Sequence, residues 1–378
     1  MKANSDFGRS AFGSACKVLL LTAVSLAGCL SSLAWSESVV AWGGGQTNLR
    51  GTLTNMIAIS TALDHCLALG ADGTITAWGY DFDGQCDVPA GLTQVVGIAA
   101  GAFFSAAVRA DGTVVAWGDN QFTQTQVPPD ATNVISVSAG RGHVLALKSN
   151  GSVEAWGSDI YGQCDVPNGL SNVVSTIAVW NYSLALQSNG TVMAWGINDA
   201  GQTDVPPGLT NVVALAGNME YCLALKSDGT VVSWGHAPQM PSALTGVKAI
   251  AAGENHCLAL KSDGTIVSWG GDAAGQIDVP ASLSNVTDLG ASWEYSVALV
   301  GSAPSSPGLY LSLAASRGGL FSVLVPTQTN KSYILKFKTS LTDANWIPLP
   351  SVAGTGQPIT LTDPSATNSH RLYRVQEL

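Results

Sequence analysis

Ala251-Ala252-Gly253-Glu254-Asn255-His256-Cys257-Leu258-Ala259-Leu260-Lys261-Ser262-Asp263-Gly264-Thr265-Ile266-Val267-Ser268-Trp269-Gly270 is one copy of a unit that recurs along the chain. Two alternating apolar runs flank Asp263-Gly264, the strongest short-range signal for a β-hairpin; the type I′ turn such a pair favours has positive φ at both central residues. Asp72-Gly73, Asp111-Gly112, Asn150-Gly151, Asn189-Gly190 and Asp228-Gly229 hold the same place in sister units. A Trp-Gly pair ends each unit, at Trp42, Trp78, Trp117, Trp156, Trp195, Trp234 and Trp269, with spacings of 36, 39, 39, 39, 39 and 35 residues. A loop of the type Gly275-Gln276-Ile277-Asp278-Val279-Pro280 follows several of them.

A period of this length is the mark of a repeat architecture. A sheet of three or four strands cannot cover both its faces alone, so neighbouring units must stack, either in an open solenoid or in a closed ring. The chain ends favour the ring. The first Trp-Gly strand, Ser38-Val39-Val40-Ala41-Trp42-Gly43, has no partner strand before it, and the last partner strand, Tyr295-Ser296-Val297-Ala298-Leu299, has no Trp-Gly strand after it. Each is the missing half of the other, and pairing them removes two exposed sheet edges. The expected fold is all-β: a seven-bladed β-propeller over residues 35–300 whose N- and C-terminal strands share a blade.

The units Gly-x-x-His-x-Leu-Ala-Leu-x-x-Asp-Gly-Thr-Val-x-x-Trp-Gly and Gly-Gln-x-Asp-Val-Pro resemble RCC1 repeats (regulator of chromosome condensation-like), in the short form of bacterial secreted proteins. The layout is similar to that of the seven-bladed β-lactamase inhibitory members of that family. The resemblance implies a propeller; it says less about function, because one fold hosts many activities. The founding members are nucleotide exchange factors that dock on nucleosomes, while the inhibitory members bind an enzyme through aromatic loops at one rim.

Composition excludes several classes. Charged residues are 11% of the chain and hydrophobic residues 46%, too apolar for a disordered protein. Residues 35–304 carry 7 basic and 22 acidic side chains, net −15, and residues 305–378 carry 6 and 3, net +3. A nucleic-acid binder needs the opposite balance. Lys2, Arg9 and Lys17 ahead of the apolar run Val18 to Ala27 read as an export signal over 1–34, cut after Ser32-Leu33-Ala34; alternatively Leu26-Ala27-Gly28-Cys29 serves as a lipobox and Cys29 carries a lipid anchor. No other run is long enough to be a transmembrane helix. The protein is expected outside the cytoplasm, so neither nuclear partner of the founding members is available to it.

What varies between units is the stretch before each Leu-Ala-Leu strand: Leu63-Asp64-His65, Ala102-Phe103-Phe104, Arg141-Gly142-His143, Val179-Trp180-Asn181-Tyr182, Asn218-Met219-Glu220-Tyr221, Glu254-Asn255-His256 and Trp293-Glu294-Tyr295. In a ring these stretches share one rim, and aromatics beside acids make a recognition surface. Phe103, Trp180 and Trp293 are candidate partner-binding residues, with the repeat-breaking acids Glu220, Glu254 and Glu294. Phe104, Tyr182, Tyr221 and Tyr295 either join that rim or start the inner strand as packing residues, as do His65, His143 and His256. Tyr80, Phe82, Phe122 and Tyr161, after the Trp-Gly pairs, could edge the same rim or line the outside.

Other chemistry is not expected. The repeated Trp belongs between blades. Cys66, Cys222 and Cys257 alternate with Ser105, Val144, Ser183 and Ser296, and Cys86 and Cys164 with Thr125, Thr203 and Ile277, as space-filling residues do. The three equivalent histidines lie in non-adjacent units, so no shared metal is expected, and no cofactor or nucleophile motif occurs. After a linker at 301–308, residues 309–378 read as a small β-sandwich resembling fibronectin type III modules, with strands at 309–314, 320–325, 333–338 and 371–375; Trp346 and Tyr373 are expected in its core, the alternative being that they stack on sugars. The expected function is an exported, non-catalytic protein-binding scaffold, with an envelope carbohydrate binder and an enzyme inhibitor as the alternatives.

Overall fold

The computed structural model describes residues 38–44, 53–63, 65–301, 312–317, 320–325, 331–338, 347–353, 359–363 and 372–377. The export signal with Cys29, Asp64, the linker at 302–308 and Trp346 lie outside the described residues. Two compact units divide the chain, Met1–Ser302 and Ala303–Leu378.

The first unit is seven antiparallel three-stranded sheets. Blade 1 is Met56–Thr61, His65–Gly70 and Ile75–Gly79; blade 2 is Val95–Ala100, Phe104–Arg109 and Val114–Gly118; blade 3 is Val134–Ala139, His143–Lys148 and Val153–Gly157. Blade 4 is Val173–Val179, Tyr182–Gln187 and Val192–Gly196; blade 5 is Val212–Gly217, Tyr221–Lys226 and Val231–Gly235; blade 6 is Val247–Ala252, His256–Lys261 and Ile266–Gly270. Blade 7 takes Val286–Ala291 and Tyr295–Val300 from one end of the repeat region and Ser38–Gly43 from the other, in the register Ser38↔Val300 through Gly43↔Tyr295. Blade 7 in turn bonds to blade 1: Ser292 Oγ donates to the Ala62 carbonyl at 2.7 Å and Thr61 Oγ1 to that of Ala291 at 3.3 Å.

First strands of neighbouring sheets touch one another all the way round, so they lie innermost, and the Trp-bearing third strands lie outermost. The Leu-Ala-Leu strand is therefore the middle strand, not the inner one. It is buried along almost its whole length because a neighbouring sheet covers each face.

The hairpin turn differs from the one expected. Only the glycine has positive φ, 79° at Gly73 and 80° at Gly112. Gly73 N donates to the Gly70 carbonyl at 2.9 Å and Gly70 N to that of Thr74 at 2.8 Å. This is a type I turn closed by a glycine bulge, which asks for left-handed backbone at one position instead of two. Asp72 then accepts from Thr74 N and Oγ1 at 3.0 and 2.7 Å, a role that needs its side chain, not its φ.

The Trp and Gln of the repeat are two halves of one joint. Each Gln turns its carboxamide into its own loop, as where Gln85 Oε1 accepts from Asp83 N at 3.0 Å. That leaves its backbone carbonyl facing the next blade, where Trp117 Nε1 donates to Gln85 at 3.0 Å, and likewise Trp156 to Gln124, Trp195 to Gln163, Trp234 to Gln202 and Trp42 to Gln276. For Trp78 the corresponding loop lies outside the described residues. Trp269 is the exception with a cause in the sequence: the short 35-residue spacing deletes the Gly-Gln loop before it, and its buried Nε1 has no hydrogen-bond partner among the described residues.

Among its described residues the second unit holds two three-stranded antiparallel sheets. One has Ser312–Arg317, Leu320–Val325 and Ile359–Asp363, with Leu320–Val325 central; the other has Ile347–Ala353, Ser332–Lys338 and Leu372–Glu377, with Ser332–Lys338 central. Ile347–Ala353 and Ile359–Asp363 were not expected as strands; two prolines sit in the first, which is an edge strand, where missing N–H donors are tolerated. Tyr333 is buried, and Tyr373 stands opposite Phe337 in the ladder.

The Trp joint makes a differential prediction. Trp117→Phe removes a donor that is used, whereas Trp269→Phe removes a buried donor that is not. Urea unfolding should show Trp117→Phe losing about 1–2 kcal/mol more than Trp269→Phe; equal losses would mean that the joint adds nothing beyond packing.

Candidate protein-binding face

One end of the ring collects two sets of loops. The first joins the first and middle strands of each blade; the second follows each Trp-Gly pair. They meet because Gly118 pairs with Phe104 and Asp119 N then donates to the Phe103 carbonyl at 2.9 Å, with the same bond from Ser158 to Gly142, His236 to Glu220 and Gly44 to Glu294. The position of Tyr80, Phe82, Phe122 and Tyr161, left open by the sequence, is thereby settled: their loops edge the same end as the variable stretches.

Those stretches contain three positions with different fates. The residue that opens the middle strand is His65, Phe104, His143, Tyr182, Tyr221, His256 or Tyr295, and each is 0–1% exposed. Phe104, Tyr182, Tyr221 and Tyr295 are thus corrected from rim candidates to inter-blade core, since a fully covered side chain has no surface to offer a partner. Each meets the second residue of the next blade's middle strand, and the pairs match in kind. His65 Nε2 lies 2.9 Å from Ser105 Oγ, His143 is 3.1 Å from Ser183 and His256 2.9 Å from Ser296. Tyr182 meets Cys222 at 3.2 Å, Tyr221 meets Cys257 at 3.2 Å and Tyr295 meets Cys66 at 3.3 Å. Phe104 shares an apolar cluster with Val144.

Cys66, Cys222 and Cys257 are free, buried packing residues, and these pairs show that each is matched to a tyrosine of the preceding blade. The larger tyrosine reaches past the thiol, and its hydroxyl donates to the next blade's backbone, as Tyr221 does to Gly253 at 2.8 Å. Burial pushes all three thiols up to about 12, so they stay protonated. In the histidine seams Ser105 Oγ donates to the Gln85 carbonyl at 2.8 Å, so the hydrogen between Ser105 and His65 must come from Nε2. Nδ1 is left as a buried lone pair without a partner among the described residues. Burial lowers the histidines to about 3 for His65 and His143 and about 4 for His256, holding them neutral. They stand in separate seams, and no group of three metal-ligating side chains occurs among the described residues.

The residue two places earlier turns inward over the ring axis. Leu63, Ala102 and Trp180, at 2%, 2% and 8% exposure, belong to one apolar cluster against which Phe103, Met219 and Trp293 pack half-buried. Arg141, at the same position in blade 3, lies over the Trp180 ring at 4.7 Å, a cation–π contact. Trp180 reaches the plug because the first strand of blade 4 extends to Val179 and leaves a two-residue turn, with φ of 23° at Trp180. Glu254 shares this inward position. Burial, then the charges of Glu294 and Glu220, raise its carboxyl to about 7. The rim aromatics therefore act first on one another: Trp180 is core, while Phe103 and Trp293 keep part of their surface outside.

The intervening position faces solvent at Glu220 and Glu294. Beyond them the exposed apolar surface is in the outer loops, at Phe82 (83%), Ile160 (70%), Tyr161 (48%) and Tyr80 (38%). Ile160 was missed in the sequence because it breaks no aromatic pattern; its signal is its place beside Tyr161, one residue earlier in the loop.

Residues 95–124, 134–163 and 247–276 match the family model described as the regulator of chromosome condensation (RCC1) repeat. No curated protein matches the sequence. Among solved structures the chain is similar to Prp20p from Saccharomyces cerevisiae, described with its binding to Gsp1p and histones, at TM-score 0.56 and 20% identity over 72% of this chain and 93% of that one. Yeast RCC1 (Prp20) with Kap60 bound gives TM-score 0.57 and 19% identity over 76% and 97%. Human WBSCR16 gives 0.57 and 16% over 70% and 99%. At these identities the likeness shows the fold.

Two predictions follow from the seams. Exchanging a His–Ser pair for the Tyr–Cys type should restore what each half loses: His65→Tyr and Ser105→Cys alone should each destabilise, and the double variant should recover about 1 kcal/mol or more in a double-mutant cycle by urea unfolding. Additive losses would show that the pairs are independent. The histidines also set a pH dependence. Their folded values lie below the usual 6.5, so the unfolded chain takes up protons first as pH falls. Stability should be full above about pH 6.5 and decline toward pH 4, by about 1.4 kcal/mol per pH unit for each histidine. In urea titrations between pH 7.5 and 5, the His65→Tyr/Ser105→Cys double variant should show a shallower slope; an unchanged slope would place the proton uptake elsewhere.

Proposed function

We propose that this protein, an RCC1-repeat β-propeller, is an exported, non-catalytic scaffold that holds a protein partner on the loop-bearing end of its ring. The observation that carries the reading is the contrast between the two kinds of position at that end. Residues that repeat, such as five of the seven Trp, the Gln and the Asp of the turns, have assigned structural partners. Residues that break the repeat include large apolar side chains left in water, Phe82 and Ile160 above all. Exposed apolar groups gathered in one region mark an interaction surface. Prp20, of the same fold, is described as binding Gsp1p, histones and Kap60, so the architecture is compatible with protein ligands of different kinds. Export is supported by the charged and apolar pattern of residues 1–34, including the lipobox alternative at Cys29.

Capture from a bacterial envelope and secreted fraction tests the binding end. Wild type is compared with Phe82→Ala/Phe103→Ala/Glu294→Ala, spread over the loop-bearing end, and with Ile57→Ala/Ile135→Ala/Val213→Ala near the starts of the first strands. One polypeptide should be recovered in stoichiometric amount with wild type and with the second variant and lost with the first. Equal recovery with all three, or binding only to a glycan array, would overturn the proposal. The N-terminus of the protein isolated from cells should start after Ala34 or at acylated Cys29; an intact leader on all of it would overturn export.

A further inference from the structure

The outer loops of the binding end are not alike. Those after blades 1, 2 and 3 carry Tyr80 and Phe82, Phe122, and Ile160 and Tyr161; the same loop has Asp199-Ala200 after blade 4 and Ala273-Ala274 after blade 6. The small residues fold the loop equally well. Ala200 N and Ala274 N donate to Gln202 and Gln276 Oε1 at 2.8 Å, as Phe122 N and Tyr161 N do to Gln124 and Gln163 at 2.8 Å. The loop therefore has no need of an aromatic, yet three successive loops carry large apolar groups, with Phe82 and Ile160 mostly in water.

The three loops follow adjacent blades and so lie side by side along one arc of the ring. Tyr80 and Phe82 stack with ring centroids 6.3 Å apart at 24°. Phe122 lies down on Gly142, where a Cβ would come within 2.6 Å of its ring, and so bridges toward the blade 3 loop with Ile160 and Tyr161. Charge in the arc has one sign. Residues 80–87, 119–125 and 158–165 hold Asp81, Asp83, Asp87, Asp119, Asp159 and Asp165 and no Lys or Arg. Asp83 is raised above the usual carboxylate range by burial and then by the charge of Asp119, whose own oxygens accept from Gln121 N at 3.1 Å and Gln124 Nε2 at 2.9 Å, neutral donors that leave its charge in place. The nearby Arg141 is already engaged with Trp180.

From the exposed aromatic arc and its uncompensated acids, we infer that blades 1–3 form the docking surface for a protein segment in which arginine or lysine flanks an apolar tip. The apolar tip covers Phe82 and Ile160, the cations lie over Tyr80 and Tyr161, and their charge meets Asp83 and Asp119. This rests on the protein-binding reading above and adds to it where on the ring the partner sits and what its surface carries.

The test uses three defined probes on the whole protein by fluorescence anisotropy or calorimetry: a short peptide with a Leu-Phe-Leu core flanked by arginines, its twin flanked by glutamates, and a neutral chito-oligosaccharide. The arginine peptide should bind, weaken with added salt, and lose at least about tenfold in affinity in Phe82→Ala/Tyr161→Ala. Both residues are exposed, so the variant should keep the wild-type melting temperature. Arginine-peptide binding that survives in this variant but is lost in Phe103→Ala/Glu294→Ala would overturn the arc while leaving the protein-binding end in place. Equal binding of the two peptides, or of neither, would overturn the cationic partner. Arc-dependent binding of the oligosaccharide alone would overturn both the inference and the scaffold reading beneath it.

Discussion

Everything in the propeller depends on the seam between one sheet and the next. A three-stranded sheet whose middle strand is apolar on both faces has no stable existence in water, and only a neighbour on each side removes that surface. Burying it also buries polar groups, and an unpaired buried donor or acceptor costs about 1–3 kcal/mol. The seam answers with a small set of joints: the Trp indole to the Gln carbonyl, and the first residue of one middle strand to the second residue of the next. Tyr295 with Cys66, 229 residues apart, follows the same pairing as neighbouring blades do, so the end of the repeat region treats its beginning as the next unit.

The joints also decide what is free to vary. Because the seams fix the strands, the loops at one end answer to few structural demands. Nature of the side chain there follows depth: the position over the axis is filled by an apolar plug holding Trp180, the next one carries solvent-facing acids, and the outer loops carry Phe82 and Ile160. Surface and scaffold are thus separated by only one or two residues along the chain. A substitution at Tyr221 disturbs the ring, while one at neighbouring Glu220 alters its surface.

The same separation explains which parts of the site could be read in advance. The repeated Trp was legible as inter-blade core because it never varies. Phe104, Tyr182, Tyr221 and Tyr295 were harder, because their variation looks like that of a binding position. Their changes compensate for those of a residue in the next blade: Tyr occurs where a Cys follows one repeat later, His where a Ser follows, Phe where Val144 follows. Comparing equivalent positions down the repeats hides this; comparing each unit with its successor, one residue on, displays it.

The number of units, the all-β character and the complementary half-blades at the two ends of the repeat region are written in the order of residues, because period and alternation are properties of the chain read in order. The sequence alone did not determine which aromatic residues are core and which are surface. That was decided by how the blades come together: the side chain opening each middle strand is covered by the following blade, Trp180 is turned over the axis by one added residue in its strand, and the outer loops swing to the same end through backbone bonds such as Asp119 to Phe103. Burial is a property of the neighbours a residue acquires, and here those neighbours lie about forty positions away along the chain, beyond the reach of any local pattern.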